Sequence, residues 1–236
     1  MQKTLYEKIT GVALAAFITL ELLLLPLIQL TPADVSSVSS YFAIAAVTAF
    51  TALCYRTEKD KRYIILGIAL TLVADTFLLL CDDAELYGVL SFIMVQAAYA
   101  VYLAKREMRS SVRRVSIFLR VALSLILVGV AFAVLGKNTD PLSVASVVYY
   151  GNLVINTALA FLLGRSERVF AVGLLLFCMC DLSIGLETLF DVYLNSDALD
   201  FFYGKYLNLP WLFYQPSQIL IAISVYLNAG KSSGEA

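Results

Sequence analysis

The chain has 236 residues, 61% of them hydrophobic and 15% charged, with a mean hydropathy of +0.83 and a formal net charge of −1. A soluble domain cannot hide that much apolar surface, and repeated continuous runs of about twenty apolar residues predict transmembrane helices rather than the alternating strands of a membrane β-barrel. No basic patch points to nucleic acid. The absence of histidine removes His-based triads and zinc–histidine sites, so acid–base chemistry falls to carboxylates, Tyr, Lys or Cys.

In chain order, the first run, 9–30, follows Lys3 and Lys8. It is too long for a signal peptide and no small-residue cleavage site follows, so it reads as a retained helix. Glu21 lies inside it, and Pro26 predicts a kink towards its far end. The turn TPADVSS leads into a second span, 38–55, and the basic loop RTEKDKR into a third, 62–81, which contains Asp75. The acidic loop CDDAEL makes a hairpin into the fourth, 87–104, where Phe92, Gln96 and Tyr99 line one face. KREMRSSVRR precedes the fifth, 115–135, and the turn GKNTDPLS precedes the sixth, 144–163. Tyr149, Asn152 and Asn156 share a face of that sixth span, and such polar groups in lipid hydrogen-bond to neighbouring helices. The seventh span is 169–190. The segment 191–210 is expected to hold a short interfacial helix, and the eighth span is 211–227. There Trp211, Tyr214, Gln215 and Gln218 form one polar-aromatic stripe. The reading is all-α: a single eight-span bundle over 1–236.

Two of these spans carry one pattern. RYIILGIALTLVADTFLLL from Arg62 and RVFAVGLLLFCMCDLSIGL from Arg168 both fit Arg-x4-Gly-x7-Asp, pairing Gly67 with Gly173 and Asp75 with Asp181. Glu21 follows Lys8 at the same offset. Ionisable groups inside apolar spans cost at least a few kcal/mol, so by default they face a protein or water-lined interior and mark function. Of the 17 Lys and Arg, only Lys137 and Lys205 fall at the ends opposite the rest, with Arg120 just inside the fifth span. That bias gives eight spans with both termini cytoplasmic. The three acids then lie roughly 20 Å from the inner charges, at about 1.5 Å of rise per residue, in the outer part of the hydrocarbon. The third and seventh spans are four apart, the arrangement of two parallel four-helix halves.

Asp75 and Asp181 are the leading catalytic candidates. Low dielectric and mutual repulsion favour keeping one of the two protonated near neutrality, and a protonated acid beside an ionised one can protonate a substrate and activate water. The alternative is that both are neutral and tie helices together. Glu21 is either a third acid in the same cavity, a receptor for a cationic head group, or a protonated donor to a neighbour. Glu187 and Asp191 read as a solvated rim, with attraction of an amine as the alternative. Trp211 and Tyr214 suit interface anchors, whereas Gln215 and Gln218, like Gln96 with Tyr99, suit hydrogen bonds into the core or to a ligand. The basic loop residues read as topology determinants and lipid-phosphate contacts. Cys54, Cys81, Cys178 and Cys180 read as small apolar fillers; Cys178-x-Cys180 lacks the spacing of the usual zinc pair. No metal or other cofactor is called for.

These landmarks together resemble the YhhN/TMEM86 family of eight-span membrane proteins, whose characterised members are lysoplasmalogenases. The family's Gly-Asp of span 3 corresponds to Ala74-Asp75, and Gly-x3-Phe-x3-His-x2-Tyr of span 4 to Gly88, Phe92, Gln96 and Tyr99, with glutamine for histidine. The Ser-Asp of span 7 corresponds to Cys180-Asp181, and Ala-Gln-x-Leu-Ile of span 8 to Ser217-Gln218-Ile219-Leu220-Ile221. The resemblance implies hydrolysis of the vinyl ether bond of a lysoplasmalogen, a lysophospholipid, to a fatty aldehyde and a glycerophospho-base. Asp75 and Asp181 would be catalytic. Glu21, Gln96, Tyr99, Asn152, Asn156, Tyr214 and Gln218 would bind or support substrate, with membrane lipids as the other partners and no cofactor. Short loops and the lack of processing signals suit a bacterial inner membrane. A small proton-coupled transporter or lipid-binding protein also fits buried carboxylates in eight spans, although no span shows paired Gly/Pro interruptions. A purely structural membrane protein is the third reading.

Overall fold

The computed structural model describes residues 2–31, 33–54, 60–106, 110–193 and 208–228. They form α1 (Gln2–Leu30), α2 (Ala33–Cys54), α3 (Arg62–Leu80), α4 (Glu85–Lys105), α5 (Ser110–Leu135), α6 (Pro141–Leu162), α7 (Arg168–Tyr193) and α8 (Leu209–Asn228), with short 3-10 turns at Gly136–Asn138 and Arg165–Glu167. Each helix falls on a segment expected from the apolar runs, with ends that differ by up to seven residues. α1 continues through Pro26. α6 begins where local chemistry dictates: Asp140 accepts a hydrogen bond from the Ser143 amide at 2.7 Å, and Pro141 occupies the first turn. α7 runs to Tyr193; the rest of the expected interfacial helix, 194–207, lies outside the described residues.

Seven helices, α1 to α7, contain a stretch long and apolar enough to cross a membrane. α8 falls short because Tyr214-Gln215-Pro216-Ser217-Gln218 interrupts its apolar body. Large apolar side chains lie bare on the outside, among them Leu23, Phe118, Leu125 and Leu162. A lipid-facing surface accounts for that display, which water would not tolerate. The chain is therefore a helical membrane protein.

Within the bundle, α1 packs on α2, α2 on α3 and α3 on α4; α5 packs on α6, α6 on α7 and α7 on α8. Contacts of α4 with α6 and of α2 with α8 join the two halves, so the packing scheme repeats with the spacing the Asp pattern implies. The paired glycines sit at equivalent contacts. A side chain at Gly67 would run into the Tyr99 ring, and one at Gly173 would meet Ile221 and the Ser217 carbonyl oxygen at 3.1 Å. Ile64, Ile68, Phe92, Tyr99, Phe170, Leu174, Phe177 and Ile221 fill the core between these pairs.

The end of the bundle bearing the basic loops corrects one expectation. Lys61 and Arg106 do more than set topology. Lys61 is buried, donates to the Ser224 carbonyl at 2.9 Å and lies 5.6 Å from the centre of the Tyr102 ring. Arg106 pairs with buried Glu167 at 2.9 Å, and the Tyr102 hydroxyl donates to the same carboxylate at 2.7 Å. The start of α3, the end of α4, the turn before α7 and α8 are cross-linked there.

Candidate functional site

Gly67, Thr71 and Asp75 recur every four residues, so they share one face of α3, and all three are buried. Thr71 returns its hydroxyl to the Gly67 carbonyl at 3.1 Å and adds no free polar group to that face. Asp75 is left as its acidic end. From α8 the Tyr214 hydroxyl donates to Asp75 Oδ2 at 2.8 Å. On α7, Asp181 is part-buried and accepts at Oδ2 from the Tyr149 hydroxyl of α6 at 2.5 Å. The two acids lie within electrostatic reach of each other.

The two tyrosines belong to one aromatic cluster. Phe92 of α4 stacks on Tyr149 with centroids 5.4 Å apart and meets Tyr214 edge-on at 6.5 Å. Phe177 of α7 lies 5.6 Å from Phe92, 5.3 Å from Tyr214 and 6.3 Å from Tyr149. The four rings form an apolar box with a carboxyl hung from each tyrosine.

The remaining sequence-selected residues divide into three groups. Glu21 reaches the core but is held by Gln215, whose side-chain nitrogen donates to Glu21 Oε2 at 2.7 Å and to the Glu21 carbonyl at 3.0 Å. Consecutive residues of α8 thus serve different neighbours: Tyr214 binds an acid of α3, Gln215 an acid of α1. Asn152 and Asn156, although on the Tyr149 side of α6, turn their amide oxygens to Arg120 of α5, at 3.0 and 2.6 Å. Asn156 also donates to the Gln96 side-chain oxygen at 2.8 Å. The third group is Gln218, Tyr99 and the nitrogen end of Gln96. They are buried, and the Gln218 amide and Gln96 Nε2 are not hydrogen-bonded to other described residues, while the Tyr99 hydroxyl faces Thr71. Gln218 stands one turn from Tyr214, and Gln96 one turn from Phe92, so the layer beneath the rings carries polar groups available to a small guest.

A model of the YhhN family matches residues 35–225. The chain belongs to the YhhN family. Comparisons with curated proteins and with solved structures gave no match. The YhhN match takes in Asp75, Gln96, Tyr99, Asp181, Tyr214 and Gln218, while the whole of α1, including Glu21, precedes it.

Three members of this YhhN arrangement were not singled out as site residues from sequence. Tyr149 is visible there as a polar residue in a span, but periodicity gives a face and not the neighbour it meets. Phe177 reads as ordinary core. Arg120 carried a usable signal, being a cation inside an otherwise apolar run.

Proposed function

We propose that this YhhN-family protein is a membrane-embedded hydrolase that cleaves the vinyl ether bond of a lysoplasmalogen-type lysophospholipid, with Asp75 and Asp181 as its acid–base pair. The observation that carries the reading is the pair of carboxyls, from two helices, each held by a tyrosine hydroxyl of a third and fourth helix around one aromatic box. Family membership supports the same chemistry.

The reaction adds water across the alkenyl ether. The protonated member of the pair gives its proton to the vinyl carbon remote from oxygen, leaving an oxocarbenium-like cation on the ether side. The ionised member stabilises that cation and takes a proton from the water that attacks it. The resulting hemiacetal collapses, its hydroxyl proton passing to the glycerol oxygen as the carbon–oxygen bond breaks. Fatty aldehyde and glycerophospho-base leave, and the pair is restored. The tyrosine hydroxyls keep each carboxyl in one orientation, and the aromatic walls suit a cationic intermediate. Gln96 and Gln218 hold the attacking water.

The accompanying topology is eight spans with both termini cytoplasmic, α8 crossing despite its polar centre because Tyr214, Gln215 and Gln218 are turned inward. The bias of Lys and Arg supports that orientation, and the short loops support a bacterial inner membrane.

The test is aldehyde release from lysoplasmalogen by detergent-purified protein. Wild type should turn over, and Asp75→Asn and Asp181→Asn should each lose about a thousandfold in rate while remaining folded. Full activity in either variant would falsify the assigned roles. Proton-coupled uptake into vesicles without aldehyde would establish a transporter instead.

A further inference from the structure

α5 is the least enclosed of the helices: its apolar stretch is 6% buried, against 44% in α4, α6 and α7. Arg120 interrupts that stretch between Leu119 and Val121. Its guanidinium is charged at any physiological pH and offers five donors. Nη1 donates to Asn152 Oδ1 and Nη2 to Asn156 Oδ1, both neutral amide oxygens. Among the described residues, no ion pair includes Arg120. A cation set in apolar surroundings calls for a counter-charge.

Against this guanidinium runs a groove of about 360 Å³ lined by Arg120, Val121, Ser124, Leu125 and Asn152. Val121 is 57% exposed and Leu125 69%, so the groove opens towards the lipid side. Ser124 lies one helical turn from Arg120 and adds a hydroxyl. A cation with spare, fork-shaped donors, a hydroxyl and an apolar flank suit a phosphate carried on a lipid. An aqueous anion has no such approach from the hydrocarbon side.

The position fits the acid pair. Asn152 and Asn156 are three and seven residues from Tyr149 on α6. Helix rise therefore sets the guanidinium roughly 5–10 Å along the axis from the hydroxyl that holds Asp181. That separation matches a glycerol arm between a vinyl ether and its phosphate. We infer that the α5–α6 groove is the phosphate subsite for the lysophospholipid, with Arg120 as its counter-charge and Asn152 and Asn156 holding the guanidinium in position. The identity of the lipid rests on the hydrolase reading; the affinity for phosphate does not.

The experiment is equilibrium binding to the purified full chain in detergent, with a saturated 1-alkyl lysophospholipid and the corresponding 1-alkylglycerol as probes. The first carries the phosphate, the second lacks it, and neither has a vinyl ether to cleave. Wild type should bind the lysophospholipid at least about tenfold more tightly, a difference of about 1.4 kcal/mol. Arg120→Gln should abolish that preference, and Arg120→Lys should retain part of it. Ser124→Leu fills the groove without touching the Arg120–asparagine contacts and should also abolish it, which separates ligand binding from folding. Equal binding of the two probes by wild type overturns the proposal, as does an unchanged preference in Ser124→Leu. Equal competition by a diacyl phospholipid overturns the assignment to substrate. Phosphate preference without aldehyde release would leave this site standing and remove the hydrolase reading.

Discussion

Both ends of the bundle bury a carboxyl beneath a tyrosine hydroxyl, and they differ in what neutralises it. At the basic-loop end, Glu167 takes the Tyr102 hydroxyl at 2.7 Å and Arg106 at 2.9 Å. At the other, Asp75 and Asp181 take Tyr214 and Tyr149 at 2.8 and 2.5 Å, and among the described residues no cation pairs with either. A carboxylate beside arginine has its counter-charge at hand and serves as a cross-link. A carboxyl held only by a neutral donor in an apolar box has no such counter-charge. Burial alone does not distinguish the two ends; the counter-charge does.

The comparison is tested most sharply at the unpaired end, where Asp75→Asn and Asp181→Asn should each cost about a thousandfold in aldehyde release under the proposed function. The largest stability effect is expected at the paired end. Arg106→Ala strands the buried Glu167 charge and should cost about 2–4 kcal/mol, read as a drop in melting temperature, with turnover per folded molecule nearly unchanged. Glu167→Gln should cost less, since the Tyr102 contact survives. Comparable loss of turnover from Arg106→Ala at a temperature where it is folded would erase the distinction between the ends. Tyr149→Phe and Tyr214→Phe come next. Each frees a carboxyl to rotate and should slow aldehyde release about ten- to a hundredfold, the cost of one buried hydrogen bond. A rate unchanged by both would remove the tyrosines from the chemistry.

The smallest effect is expected away from both ends, at the start of α6. The hydrogen bonds from Ser143 hold the Asp140 carboxyl below the usual aspartate range. Its folded-state value is depressed, so its contribution is present above the ordinary aspartate pKa and is lost as pH falls through the lowered value. The group is exposed, and solvent screening keeps the effect of Asp140→Ala to about 0.5 kcal/mol. The melting-temperature difference from wild type should shrink as the buffer is taken towards pH 3.

The helices were legible in the sequence because each apolar run is long and bounded by charged or turn residues. The Arg-x4-Gly-x7-Asp repeat likewise pointed to Gly67, Gly173, Asp75 and Asp181. What spacing does not encode is which neighbour a face meets. Trp211, Tyr214, Gln215 and Gln218 looked like one stripe, but neighbouring positions on α8 differ by about 100°. Tyr214 therefore turns to α3 and Gln215 to α1. Tyr149 and Asn152 part company in the same way, one to Asp181 and the other to Arg120. Lys61 and Arg106 sit in runs of charge that look solvated, and only the return of α8 and the turn before α7 encloses them.

The two glycines have a mechanical consequence. Where Gly67 admits the Tyr99 ring and Gly173 lets α7 lie against the α8 backbone, the helices of each pair have no room to slide. α3–α4 and α7–α8 then behave as two stiff blades. Under the proposed function, a hydrocarbon tail would then enter at a seam between the blades and their neighbours rather than within either glycine-packed pair.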